Sequence, residues 1–124
     1  MKILEYFYVL LLSVLFASCE FDEVDLGYPH CVTFSKGGGE KNVMGTSCFT
    51  YANIQDYKSG DDGDFFPSQD DIVSAVYKWI KIEYTRNGTA IKIIAEPNTT
   101  GKTRKLHIEL YSGPEYQVIQ IKQE

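Results

Sequence analysis

The sequence predicts an all-β sandwich of about seven short strands. Three observations carry that expectation. From Trp79 to Gln123 apolar side chains recur at every second position, the period of a strand with one buried face. Clusters of Gly, Pro, Asn and Ser separate these runs at intervals suited to short antiparallel strands. Beyond Cys19 no stretch repeats apolar residues at helical spacing. The chain has 124 residues, 44% hydrophobic and 14% aromatic, enough for one domain with a core and too short for two ordinary ones.

The first strand is expected over Tyr28 to Ser35 (YPHCVTFS), with Val32 and Phe34 on one face and Thr33 and Ser35 on the other. Gly37-Gly38-Gly39 turns the chain, since three glycines are costly to hold extended. The second strand, Glu40 to Phe49, is interrupted by Gly45, where a bulge is expected. Tyr51 to Ala75 is the least regular part and includes KSGDDGDFFPSQDD, broken by Gly60, Gly63 and Pro67. A loop of that length in a small domain is functional or disordered. Asp70 to Tyr77 carries a short helical turn or leads straight into the next strand.

Lys78 to Thr85 alternates, with Ile80, Ile82 and Tyr84 inward and Lys81 and Glu83 outward. The same alternation puts Trp79 outward. Asn87-Gly88 is a strong hairpin signal, because both residues tolerate positive φ. Thr89 to Glu96 follows, ended by Pro97, and then a polar loop over Asn98 to Thr103. Arg104 to Tyr111, the turn Ser112-Gly113-Pro114 and Tyr116 to Gln123 complete the sheet. The expected core is Ile82, Ile91, Ile93, Leu106, Ile108, Ile119 and Ile121.

The N-terminus reads as an export signal. Lys2 precedes the apolar run Tyr6 to Phe16 (YFYVLLLSVLF), too short for a comfortable membrane span, and Ala17-Ser18 are small residues before a cut. LFASC resembles the lipobox of bacterial lipoproteins, in which the cysteine is acylated and the leader cut before it; here that cysteine is Cys19. The alternative is an ordinary secreted protein cut after Ser18. The acidic run EFDEVD after Cys19 resembles the surface-export signal of Bacteroidetes lipoproteins; a plain solvated tether is the other reading. The expected organisation is a lipoprotein signal peptide over 1–18, an acidic tether over 19–27 and a sandwich domain over 28–124. The expected location is the outer membrane, at the cell surface ahead of the periplasmic face.

A net charge of -5 and the absence of a Lys/Arg cluster argue against nucleic acid as a partner. No nucleophile elbow, metalloprotease or P-loop pattern occurs, so no enzyme and no cofactor is expected. Asp61, Asp62, Asp64, Asp70 and Asp71 do not follow calcium-loop spacing, and His30, Cys31, Cys48 and His107 lack the paired spacing of a zinc site, so no metal is expected. Cys31 and Cys48 are chemically free to pair in an oxidising compartment. If the glycine turn closes a hairpin, however, Cys31 falls opposite a residue nearer Gly45; a bulge or a strand switching sheets would repair this, and two small buried hydrophobes are the alternative. Trp79 is the ligand-binding candidate, as a stacking surface or as a rim residue closing the sandwich. Tyr57, Phe65 and Phe66 in the long loop are positioned to complete a surface beside it.

The run WIKI, then IKIIAEPNTTGKTRKLHIEL, then VIQIKQ resembles the BACON domain (Bacteroidetes-associated carbohydrate-binding, often N-terminal). The resemblance rests on Trp79, on Ala95 with Asn98 to Gly101, on Arg104 and on Gln123. VTFSKGGGE at Val32 to Glu40 is similar to that family's first strand and glycine turn, and the acidic insert before Trp79 departs from it. The resemblance implies an immunoglobulin-like β-sandwich and a binding role. The expected function is therefore a lipid-anchored binding module, for glycans, or else a structural or protein-interaction lipoprotein in a surface complex. Its membrane partner is reached through Cys19.

Overall fold

Alternation along each strand decides which side chains meet between two sheets. The computed structural model describes residues 22–56, 61–62, 64–67 and 71–124, with side chains over 23–56 and 71–124. Cys19 and Tyr57 lie outside the described residues, as do the side chains of Phe65 and Phe66. The described residues form an all-β, immunoglobulin-like sandwich of eleven strands: β1 (Asp22–Glu23), β2 (Cys31–Phe34), β3 (Gly39–Phe49), β4 (Tyr51–Asp56), β5 (Asp61–Asp62), β6 (Asp64–Pro67), β7 (Ile72–Tyr77), β8 (Ile80–Thr85), β9 (Gly88–Ala95), β10 (Arg104–Ser112) and β11 (Glu115–Gln123). One sheet runs β1-β11-β10-β4-β5, with β2 also paired to β11; the other runs β3-β9-β8-β7-β6.

All seven expected core residues are buried, none more than 2% exposed. Phe49 joins them, edge-on to Tyr28 (centroids 5.7 Å) and tilted against Tyr84 (5.2 Å). Tyr84 crosses the gap between the sheets, its hydroxyl accepting from Ala52 N at 3.0 Å. The turns fall where their residues demand. Tyr84 opposes Ile91, which centres the β8–β9 turn on Asn87-Gly88, with Asn87 at φ 62°. Ser112 opposes Glu115 across Gly113-Pro114.

Four extra strand segments account for the excess over seven. Within Tyr51 to Ala75, expected to be irregular, β4 is an inner strand of the first sheet, with Ala52 and Ile54 fully buried. The acidic stretch then supplies an edge to each sheet: Asp61 and Asp62 pair with β4, and Asp64 to Pro67 pair with β7. Phe65 lies opposite Ala75 and Phe66 opposite Ser74. Of the stretch Asp70 to Tyr77, the described residues from Asp71 make no helix; the last six are β7.

The glycine turn does not close a hairpin. β2 runs parallel to β11, while β3 pairs antiparallel with β9 in the other sheet. The chain changes sheets at Gly37 to Gly39. This corrects the pairing of Cys31 with Cys48: both are exposed free thiols, neither of them a buried hydrophobe. They sit on strands of different sheets, Cys31 beside Gln120 of β11 and Cys48 within the irregular stretch of β3 where its register against β9 shifts.

The segment read as a tether over 19–27 joins the sandwich from Asp22 onward. Asp22 opposes Glu115, Glu23 opposes Tyr116, and Leu26 is 4% exposed. Between β1 and β2 the chain arches away from β11, and the buried amide of Gln117 fills the gap. Its Oε1 accepts from Leu26 N (2.8 Å) and Tyr28 N (3.2 Å), and its Nε2 donates to Tyr28 O (2.7 Å). The arch also reaches β3. Thr46 N and Ser47 N both donate to Leu26 O, and the Tyr28 hydroxyl donates to Ser47 O at 2.9 Å. These bonds occupy the bulge expected at Gly45, where the β3–β9 register shifts between Met44 and Phe49. A Cβ at Gly45 would meet the Tyr28 ring at 2.3 Å.

Candidate functional site

The two ends of the sandwich differ in chemistry. At one end lie Trp79, Arg104 and Gln123, whose positions follow from a hairpin turn. Tyr77 opposes Ile80, so Lys78-Trp79 are the two central turn residues, with Lys78 at φ 52°. The strand alternation therefore stops at Ile80 and does not reach Trp79. This corrects its expected outward placement: Trp79 is 7% exposed. Its carbonyl accepts from Glu96 N at 3.0 Å, and the Arg104 guanidinium lies over its ring, 4.5 Å from the centroid.

Arg104 is held there by its own fork. Nε donates to Gln123 Oε1 (2.8 Å), and Nη2 donates to the carbonyls of Glu96 (3.2 Å) and Pro97 (3.3 Å). Gln123, fully buried, donates Nε2 to Ser35 O (3.1 Å) and Glu96 O (2.7 Å). Asn98, 3% exposed, donates Nδ2 to the carbonyls of Lys102 (2.7 Å) and Glu124 (3.0 Å) and accepts from Thr100 N and Oγ1. The buried amides of Gln123 and Asn98 thereby have partners for both their oxygen and their nitrogen. The residues that stood out in the sequence thus converge on one polar lock, which closes the end of the sandwich.

A depression of about 280 Å³ opens beside this lock, walled by Trp79, Ile80 and Val76 and rimmed by Lys78, Lys81 and Glu96. A second, of about 420 Å³, lies at the same end, among Thr33, Ser35, Gly38, Lys41 and Glu124. The indole contributes a wall to the first depression only, with little open ring face.

At the opposite end, three strands of the first sheet place tyrosines in one row. Tyr51 of β4 opposes Tyr111 of β10, which opposes Tyr116 of β11. The ring centroids are 5.5 Å apart for the first pair and 5.6 Å, stacked, for the second. Tyr51 is 41% exposed, and Tyr111 and Tyr116 are half-buried. Beside the row Glu109 opposes Asn53, both nearly buried on the sheet's outer side. Burial first, and then the charge of Glu109, push the Tyr111 phenol up to about 12. Burial pulls His107 below its ordinary value, against the opposing pull of Asp56 and Glu109. Sequence reasoning missed the row. Its third member, Tyr51, sits on a strand that was read as loop.

Among the described residues no three His, Cys, Asp or Glu side chains cluster as a metal site. Glu109 Oε1, nearly buried, has no hydrogen-bond partner among the described residues. Cys31 and Cys48 contribute to neither end.

Residues 69–124 match the model of the BACON family, described as "Putative binding domain, N-terminal". The matched stretch holds β7 to β11 and with them the whole Trp79–Arg104–Gln123 lock. By fold, the chain is similar to a solved structure described as "NMR structure of the protein from Bacteroides thetaiotaomicron", with a TM-score of 0.54 and 12% identity over 79% of this chain and 82% of that one. At that identity the likeness shows the fold alone. No curated protein matches the sequence. The family match is to a binding domain and supports a binding module.

Proposed function

We propose that the protein is a lipid-anchored accessory binding module, held in the outer membrane by an acylated Cys19. It meets a protein partner with the Trp79 end of the sandwich. The observation that carries this reading is the packing of Trp79. A sugar ring stacks on an open aromatic face, and this indole is buried under the Arg104 guanidinium. What the same end offers instead is concave surface with exposed charges of both signs, among them Lys41, Lys81, Glu96 and Glu124. Such a surface suits a polar protein contact more than a stacked glycan. The entry of the chain supports this choice of end, because Asp22 and Glu23 pair with Glu115 and Tyr116 at the far end.

The test is site-specific photo-crosslinking in intact cells. A crosslinker at Lys81 or Lys102 should trap one discrete protein species, and one at Gly113 should not. The soluble 20–124 fragment is screened in parallel on a glycan array. Glycan binding lost in Lys78→Ala or Lys81→Ala would overturn the protein reading in favour of a sugar held in the Trp79 depression. The indole wall of that depression is the feature that favours this second reading. A Cys19→Ala variant should leave the membrane fraction, and wild type should carry acyl mass on Cys19.

A further inference from the structure

The place where the chain enters the sandwich limits how the domain can stand on a membrane. Cys19 precedes Asp22 by three residues, and an extended chain spans at most about 3.6 Å per residue. Whatever path those residues take, the two α-carbons are within roughly 11 Å of each other. Asp22 is fixed opposite Glu115, Glu23 is fixed opposite Tyr116, and Val24 N donates to Tyr116 O at 2.8 Å. The nine residues of β11 run from Glu115 away to Gln123, a span of about 30 Å at ~3.3 Å per residue. The leash therefore reaches the Gly113-Pro114 end and cannot reach the Trp79 end.

Resting on the acylation of Cys19 proposed above, we infer that the tyrosine row Tyr51–Tyr111–Tyr116 docks at the lipid–water interface, so that the sandwich stands on its Gly113-Pro114 end. The row belongs to the end the leash holds down. Tyrosine suits the headgroup layer, because its ring is apolar and its hydroxyl is wet. The charges of this end select the lipid. Glu20, Asp22, Glu23, Asp25 and Glu115 lie on or beside the leash and carry no compensating Lys or Arg within it. An anionic headgroup layer repels them, whereas the ammonium of phosphatidylethanolamine is complementary. The occupant of the row is thus a zwitterionic, ammonium-bearing lipid surface.

The test uses the full-length, lipidated protein in vesicles of phosphatidylethanolamine and phosphatidylcholine doped with headgroup nitroxide. Tyr51→Trp and Tyr116→Trp are compared with wild type, whose native Trp79 reports the far end. The introduced tryptophans should be quenched at least about twofold more than Trp79 and should shift to shorter wavelength, as expected of an interfacial ring. Replacing most of the phosphatidylethanolamine by phosphatidylglycerol should abolish the difference. Introduced tryptophans that respond to aqueous iodide and not to the nitroxide, in both variants, overturn the docking. Acyl mass at Cys19 is measured on the same sample. Its absence sinks the anchor itself, whereas acylated protein with unquenched tryptophans sinks the docking alone.

Discussion

Gln117 holds the backbone of Tyr28 from both sides, accepting from its N–H at 3.2 Å and donating to its carbonyl at 2.7 Å. One side chain of β11 thereby does what a strand would do along the arch between β1 and β2. The amide also serves Leu26 N, so three backbone groups depend on it.

Replacing it should therefore be costly. Gln117→Leu keeps the volume and leaves those three groups without a partner, at about 1–3 kcal/mol for each one that stays buried. A loss of roughly 2–4 kcal/mol is expected in urea denaturation. Gln120→Ala, on the exposed side of the same strand, should change stability by less than about 0.5 kcal/mol. Similar effects for the two would mean that the arch is held by something other than Gln117.

Arg104 is expected to resist a change to lysine. Arg104→Lys keeps the charge but not the fork that reaches Gln123, Glu96 and Pro97 together. A cost of about 1–3 kcal/mol is expected, with Trp79 fluorescence shifting to longer wavelength as its ring opens to water. Unchanged emission would show that the guanidinium does not cover the indole.

Gly45 is limited by space. Gly45→Ala drives a methyl into the Tyr28 ring, and a loss of about 1–3 kcal/mol is expected for such overpacking. The double variant Gly45→Ala/Tyr28→Ala should cost less than the sum of its parts, because removing the ring removes the clash. Strict additivity would place the damage elsewhere.

Three phenols bear on alkaline stability. Tyr28 and Tyr111 are each raised from 10.0 to about 12, by burial first and then by Cys48 and Glu109 respectively. A group easier to ionise in the unfolded chain stabilises the fold fully below the unfolded value, and that contribution is lost as pH rises through the folded one. Stability should therefore decline between pH 10.0 and about 12. Ultraviolet titration should show Tyr28, Tyr84 and Tyr111 ionising late, with one late phenol fewer in Tyr111→Phe. All three titrating with the exposed tyrosines would contradict this burial.

The hairpins from Ile80 to Gln123 were legible because period-2 alternation and local turn chemistry carry their own register. Asn87-Gly88 and Gly113-Pro114 needed no distant partner to be read. What was missed depends on distant parts of the chain. β4 alternates Ala52, Asn53, Ile54 and Gln55, but its small and polar residues blur the pattern, and only β10 beside it makes it an inner strand. The departure of β2 from β3 stayed one of two alternatives because a glycine turn looks the same whether the chain folds back or crosses over. Trp79 was misplaced by carrying strand alternation one residue too far into a turn, where the positive φ of Lys78 breaks it. Of the candidate site, Trp79, Arg104, Asn98 and Gln123 stood out in the sequence; the tyrosine row did not, because it needs the pairing of β4 with β10.

The pairing of β1 with β11 has a mechanical consequence. β1 and β2 run parallel to β11, the first strands of the domain beside its last. A pull that draws the start of β1 and the end of β11 apart acts along the strands in opposite directions. It loads the ladder in shear, with its hydrogen bonds straining together; an antiparallel terminal pair would peel open one bond at a time. The domain is built to yield late under tension between its two ends, and the Gln117 clamp sits within the span that would bear the force.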